Sequence, residues 1–273
     1  VVKQAIEPAE KRAIQVAQPA DPAVRASRYE NVLIVGATSS LARAFARALA
    51  KRKTRLFLAA RNEEEARRVA KDLTIRYGCQ TWAGVFVADD YGSHKAFFEN
   101  VRKTLGTIDG IFVAVGELGE QMQSQSDFAK AKSVIDSSYT GIVSLLTYVG
   151  DYLDTRKSGY IIAVGSVAGD RGRQSNYVYG SAKAAMATYL QGLRHRLNRE
   201  GVLVMTVKPG FLDTKMTYGL VKGPLVADVD SAAKEILAAL DRKELIVYVP
   251  WFWRYIMLII RLIPERLFVR TKI

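Results

Sequence analysis

Cysteine and histidine are almost missing from this chain. One cysteine, Cys79, stands in 273 residues, so an internal disulfide is excluded and a cysteine-built metal site has no ligands. A single thiol fits a reducing compartment. The only histidines are His94 and His195, both in charged stretches of helical pattern, where surface positions are expected. They offer no basis for a zinc centre or a histidine-dependent triad, and no metal is expected. Long apolar runs are missing too. No stretch reaches the roughly 18 residues that span a bilayer. Residues 1–28 lack the apolar core of a secretory leader, so a cytoplasmic protein is expected. Acidic residues fall short of basic ones, 27 against 40, leaving a formal charge of +13. That sign favours anionic partners such as a phosphorylated cofactor or a phospholipid surface. No nucleic-acid motif or long Lys/Arg block is present, so nucleic acid is not expected. Charge spread over the surface accounts for the excess equally well.

Hydrophobic residues make up 49% of the chain, enough at this length for the core of one α/β domain. Residues 1–28, rich in Ala, Gln and charge and carrying Pro8, Pro19 and Pro22, read as an N-terminal extension outside the fold. From Asn31 the pattern changes. Val32–Val35 is a short apolar run closed by Gly36, the mark of a buried parallel strand. Leu41–Lys53 places Leu41, Phe45, Ala48 and Leu49 on one helix face. Further strands are predicted at 56–59, 82–87, 111–115, 160–164, 203–207 and 245–249. Helices are predicted at 63–77 and 95–105, as one long helix within 128–153, from Tyr179 to Leu197, and at 231–240. Strands alternating with helices predict a doubly wound parallel sheet covered on both faces, a Rossmann-like single domain over residues 29–250. Residues 251–273 follow as an amphipathic C-terminal tail.

Tyr179 and Lys183 stand four apart in a predicted helix, one above the other on its face. The Lys charge is expected to lower the phenol from its ordinary value of about 10. A phenol so tuned gives a proton to a carbonyl oxygen, or takes one from an alcohol, near neutral pH. Ser166, thirteen residues before Tyr179, carries a hydroxyl that can hold the same oxygen. The pair alone is a weak signal, because an aromatic beside a solvated Lys gives the same spacing.

The first strand feeds Gly36, Ala37, Thr38, Ser39, Ser40, Leu41 and Ala42, and then a helix. Small residues there let the backbone approach a pyrophosphate at the helix N-terminus. A plain strand–helix turn fits the same residues. The second strand ends at Ala60 and Arg61, where an NAD site would place an acid for the ribose hydroxyls. A guanidinium suits a 2′-phosphate, which favours NADP(H). A solvated Arg at a helix entrance is the alternative for Arg61. Asp89, after the third strand, is a candidate for the adenine amine, unless Asp89 or Asp90 caps the next turn.

From Asn31 to Pro250 these motifs resemble, in their order, those of the short-chain dehydrogenase/reductase family. The resemblance makes Ser166, Tyr179 and Lys183 the catalytic residues of an oxidoreductase acting on C=O or CH–OH groups. It gives Gly36, Thr38, Ser39, Ser40, Leu41 and Gly116 to the cofactor, with Gly116 closing Val113–Gly116. Lys183 would also hold the nicotinamide ribose beside Tyr179. Pro209 and Gly210 would lie at the nicotinamide end, with Thr214 on its carboxamide. One departure falls at Ser138, where the family carries an Asn that helps hold a proton-relay water. Ser138 is expected to fill that catalytic place with shorter reach.

Asp170–Lys183, Pro209–Pro224 and the tail are similar to the branch of the family that reduces decaprenylphosphoryl-2-keto-erythro-pentose in lipid-linked ribose epimerisation. This implies a keto-sugar on a polyprenyl phosphate, or a related lipid-linked substrate, and a role in cell-envelope biosynthesis. Arg171, Arg173 and Lys215 are candidates for a substrate phosphate. The tail, led by Trp251, Phe252 and Trp253 and punctuated by arginines, is expected to lie in a membrane interface or to pack on the body or on a neighbouring subunit. The first would make the protein peripheral on the cytoplasmic membrane. A homo-oligomer or a partner subunit is expected from the family. Two rival readings are a soluble reductase of small ketones and a non-catalytic subunit of a larger assembly.

Overall fold

A computed structural model describes residues 14–15, 30–214 and 225–271. Most of the expected N-terminal extension, Lys215 and Lys222–Pro224 lie outside the described residues.

Among the described residues ten strands form in chain order: β1 (Ile14–Gln15), β2 (Asn31–Val35), β3 (Arg55–Ala60), β4 (Thr81–Val85), β5 (Gly110–Val113), β6 (Gly159–Val164), β7 (Val202–Pro209), β8 (Phe211–Leu212), β9 (Val226–Ala227) and β10 (Ile246–Val249). Seven run parallel in the order β4-β3-β2-β5-β6-β7-β10. β1 adds to the β4 edge antiparallel, and β8 pairs β9 separately. The expected doubly wound sheet is therefore present.

The helices are α1 (Ser40–Ala50), α2 (Glu63–Tyr77), α3 (His94–Leu105), α4 (Gln121–Ser124), α5 (Phe128–Ile135), α6 (Gly141–Arg156), α7 (Tyr177–Asn198), α8 (Val229–Asp241), α9 (Trp253–Leu262) and α10 (Glu265–Phe268). Strand alternation decides which core each residue joins. Val32 and Ile34 face one core with α1, α2 and α8, while Leu33 and Val35 face the other with α3, α6 and α7. Every residue of β2 is buried, so its two faces both read as apolar. Phe45 of α1 stacks on Phe112 of β5, with centroids 4.3 Å apart. Burying a side chain of that size stabilises by about 1.5–3 kcal/mol. Among the described residues no helix is long and apolar enough to cross a membrane.

One expectation fails, at His94, and one helix carries an irregularity. The long helix expected within 128–153 is present, running through α5 and α6 with a π-helical turn at Asp136–Thr140. Ser137 returns its hydroxyl to the Ser133 carbonyl at 2.8 Å, and Gly141 packs against the Ala88 carbonyl. Such side-chain bonds and close contact compete with the regular ladder. His94 is fully buried rather than superficial. Its Nδ1 meets Ser144 Oγ and its Nε2 meets the Val87 carbonyl, both at 2.9 Å, and its ring stacks on Phe86. With both nitrogens partnered, burial carries little penalty. His195 is exposed as expected.

Candidate active site

The order of strands reverses between β2 and β5. The chain leaves β2 toward the α1 face and leaves β5 toward the α6 face, so the two loops part and open a cleft. Its volume is about 690 Å³. Thr38, Ser39, Ser40 and Leu41 line it from the β2 loop, and Val115 and Gly116 from the β5 loop. Ser166, Tyr179 and Lys183 line it beyond, with Pro209, Gly210 and Thr214 from the segment after β7. Eleven sequence-predicted residues thus meet on one wall.

The β2 turn is built around Gly36. Its N–H and that of Ala37 donate to the Ala59 carbonyl at 2.9 and 3.0 Å. Its φ is +79°, and a Cβ there would lie 2.4 Å from the Ala114 carbonyl oxygen. Glycine alone allows this close crossing. Ser39 then caps α1, accepting from the Ala42 N–H at 3.3 Å. The start of α1, where N–H groups lack helical partners, therefore lies in the cleft wall. The helix start, with its N–H groups facing the cleft beside Thr38, Ser39 and Ser40, fits a dinucleotide phosphate.

Gly36, Arg61, Asp89 and Ser138 stand outside the wall. Arg61 is exposed at the end of β3, with no ion-pair partner among the described residues. Asp89 is exposed after β4. Asp90 precedes the turn at Tyr91–Ser93 but makes no side-chain cap bond; its carbonyl takes the Ser93 N–H instead. Ser138 is fully buried in the π-helical turn. Its hydroxyl accepts from the Glu117 N–H at 3.2 Å and donates to the Glu117 carbonyl at 3.3 Å. A Cβ on Gly116 would sit 3.0 Å from Lys183 Nζ and 3.2 Å from Ser138 Oγ, so the two flank that glycine.

Tyr179 packs against Val134 and Ala168 and is 8% exposed. Burial pushes its phenol up to about 12, and a hydrogen bond with Ser166 pulls only partly back. The expected lowering by Lys183 is not found. Lys183 is itself buried, and burial lowers its ammonium from 10.5 to about 8. Its Nζ donates to the Val164 carbonyl at 3.0 Å and to the Val115 carbonyl at 3.3 Å, and lies 5.7 Å from the centre of the Tyr179 ring. Desolvation wins because both groups sit in low dielectric and the charged form of each is disfavoured.

Arg171 does not reach the cleft. Its guanidinium donates to the carbonyls of Arg261 and Ile263 at 3.0 and 2.8 Å, pairs with Glu265 at 2.6 Å and covers the Phe268 ring. Arg173 does line the cleft. Arg43, Gln121 and Asn176 also line the cleft and were not expected from the sequence. Arg43 lines the wall one turn into α1 and pairs with Glu65, a basic position that helix numbering could have flagged. Gln121 accepts the Val178 N–H at 3.1 Å. Gln121 Nε2, Asn176 Oδ1 and Arg173 Nε are buried without a hydrogen-bond partner among the described residues.

A dinucleotide-type cradle and a Ser–Tyr–Lys set on a doubly wound sheet define a nicotinamide-dependent oxidoreductase class. The chain belongs to the short chain dehydrogenase family, whose sequence profile matches residues 30–224. It is similar to an uncharacterized oxidoreductase of Mycobacterium tuberculosis, 33% identical over 234 residues that cover 86% of this chain and 94% of that one. Its fold is similar to that of levodione reductase, with a TM-score of 0.73 and 21% identity over 81% of this chain and 95% of that one. It is also similar to a short-chain dehydrogenase from Sphingobium yanoikuyae in complex with NADPH, with a TM-score of 0.72 and 24% identity over 81% and 88% of the two chains.

Proposed function

We propose that this oxidoreductase reduces a ketone to a secondary alcohol with NADPH, and that the ketone is a keto-sugar on a polyprenyl phosphate or a related lipid-linked substrate. The observation that carries the reduction is Tyr179, buried beside Ser166 in the cleft wall. A bound nicotinamide dinucleotide supplies the hydride to the carbonyl carbon. Ser166 holds the carbonyl oxygen by a hydrogen bond, and Tyr179 gives that oxygen its proton as the negative charge develops. A phenol held near 12 keeps its proton at neutral pH and so stands ready for reduction. Lys183, its Nζ 5.7 Å from the centre of the Tyr179 ring, stands in the cleft wall where it can hold the nicotinamide ribose.

Arg61 with no acid at Ala60, and an NADPH complex among the proteins of similar fold, support NADP(H). Glu63, Glu64 and Glu65 at the start of α2 are each paired with an Arg, so they leave the 2′-phosphate place unopposed. Arg173, lining the cleft without an ion pair among the described residues, supports an anionic substrate. The likeness of Asp170–Lys183 and of the tail to the decaprenylphosphoryl-keto-pentose branch supports the lipid carrier.

The test is NADPH consumption with decaprenylphosphoryl-2-keto-erythro-pentose, a short-prenyl analogue and a panel of small ketones. Stoichiometric alcohol from the prenyl substrates is expected. Turnover of small ketones alone would make this a soluble small-ketone reductase. Dinucleotide binding with no turnover of any ketone would make it a non-catalytic subunit.

A further inference from the structure

The last two helices bury one face and expose the other. Trp253 and Met257 are buried with Val167, and Phe252, Ile256 and Ile260 pack on the same cluster. The opposite face of α9 carries Tyr255, Leu258, Ile259 and Leu262, which with Trp251 are 54–72% exposed. Leu267 and Val269 extend this surface past α10. Arg254 and Arg261, seven apart, run along one flank of the helix, and Arg266 and Arg270 follow. All four are exposed and have no ion pair among the described residues. The one acid between 251 and 271 is Glu265, and Arg171 pairs with it.

The platform is held firmly. Arg171 takes three carbonyls at the C-terminal end of α9 and lies 4.1 Å from the Phe268 ring centre. The platform also adjoins the cleft. Trp253 packs edge-on to Phe211, which lines the cleft, and its indole leaves no room for a side chain on Gly210.

We infer that the outward face of α9 and α10 docks on an anionic lipid surface. Aromatic and aliphatic side chains enter the headgroup boundary while flanking arginines meet phosphates. The net charge of +13 draws the whole molecule to the same surface. A second copy of this chain would bring the same unpaired arginines against themselves, which disfavours self-association here. Docking stands apart from the cofactor chemistry, but its use in presenting a lipid-borne ketone to the cleft rests on the function proposed above.

The experiment is co-sedimentation of the full chain with vesicles of phosphatidylcholine, alone or mixed with phosphatidylglycerol. Wild type is expected to pellet with the mixed vesicles and to be released by salt. Leu258→Ser/Ile259→Ser/Leu262→Ser should weaken partitioning by about tenfold or more. Arg254→Ala/Arg261→Ala should remove the preference for anionic lipid. Circular dichroism and NADPH thermal shift on the same variants separate docking from folding and from cofactor binding. Absence of wild-type binding to either vesicle, or binding undiminished in the triple variant, would overturn the inference. So would concentration-dependent dimers in light scattering that the triple variant abolishes while vesicles bind nothing. Vesicle binding without any dinucleotide shift would leave docking intact and count against the reductase.

Discussion

Burial moves both Tyr179 and Lys183 away from their ordinary titration. Burial keeps the phenol protonated to about 12 and lets the ammonium lose its proton near 8. Tyr179→Phe should cut turnover by about a thousandfold while NADPH binding persists. Steady-state rates and a thermal-shift titration check the two halves of that statement. The Lys183 shift also sets a pH dependence of stability. Between about 8 and 10.5 the unfolded chain binds a proton that the folded chain has released. Stability attributable to this group therefore rises with pH across that window. Tyr179 acts in the other sense from about 10 to 12, where the folded chain keeps a proton that the unfolded chain loses. Urea unfolding at pH 7.5 and pH 9.5, comparing wild type with Lys183→Met, should show wild type gaining on the variant at the higher pH. An unchanged difference would contradict the assignment. That Ser166, Tyr179 and Lys183 share one cleft wall was legible because helix spacing and segment order are local. The direction of the Tyr179 shift was not, because Val134 and Leu118, which help bury it, lie far away in sequence.

At the scale of elements, the β2–α1 turn and the α9–α10 platform carry the testable consequences. Gly36→Ala would place a Cβ 2.4 Å from the Ala114 carbonyl at a left-handed φ. A loss of about 2 kcal/mol or more is expected in denaturant unfolding. Arg171→Ala removes the carbonyl bonds and the ion pair that tie the platform to the body. Amide exchange should speed in residues 253–270 and stay unchanged in α1. The periodicity of α2 was clear enough to give Glu63–Tyr77 from the sequence, since Asn62 and Gly78 punctuate both ends. The break between α5 and α6 was not legible. Helical periodicity runs through Asp136–Thr140, and the close neighbour of Gly141 at its end is the Ala88 carbonyl, some fifty residues away.

For the whole molecule, the sheet order places the β2 and β5 loops at one cleft, and most of the predicted site follows from that single reversal. Ser138 shows what order alone leaves out. Its hydroxyl is engaged with Glu117 on both donor and acceptor sides, so only its remaining lone pair is free for a relay water. The central claim is a working NADPH site served by Arg61 and Tyr179. The most direct measurement is a thermal-shift titration of wild type and Arg61→Ala with NADPH, NADP, NADH and NAD. The account predicts stabilisation by NADPH and NADP, about tenfold weaker affinity in Arg61→Ala, and little change in the weaker response to NADH. No shift with any dinucleotide, or equal shifts with NADH and NADPH that Arg61→Ala leaves untouched, would contradict it.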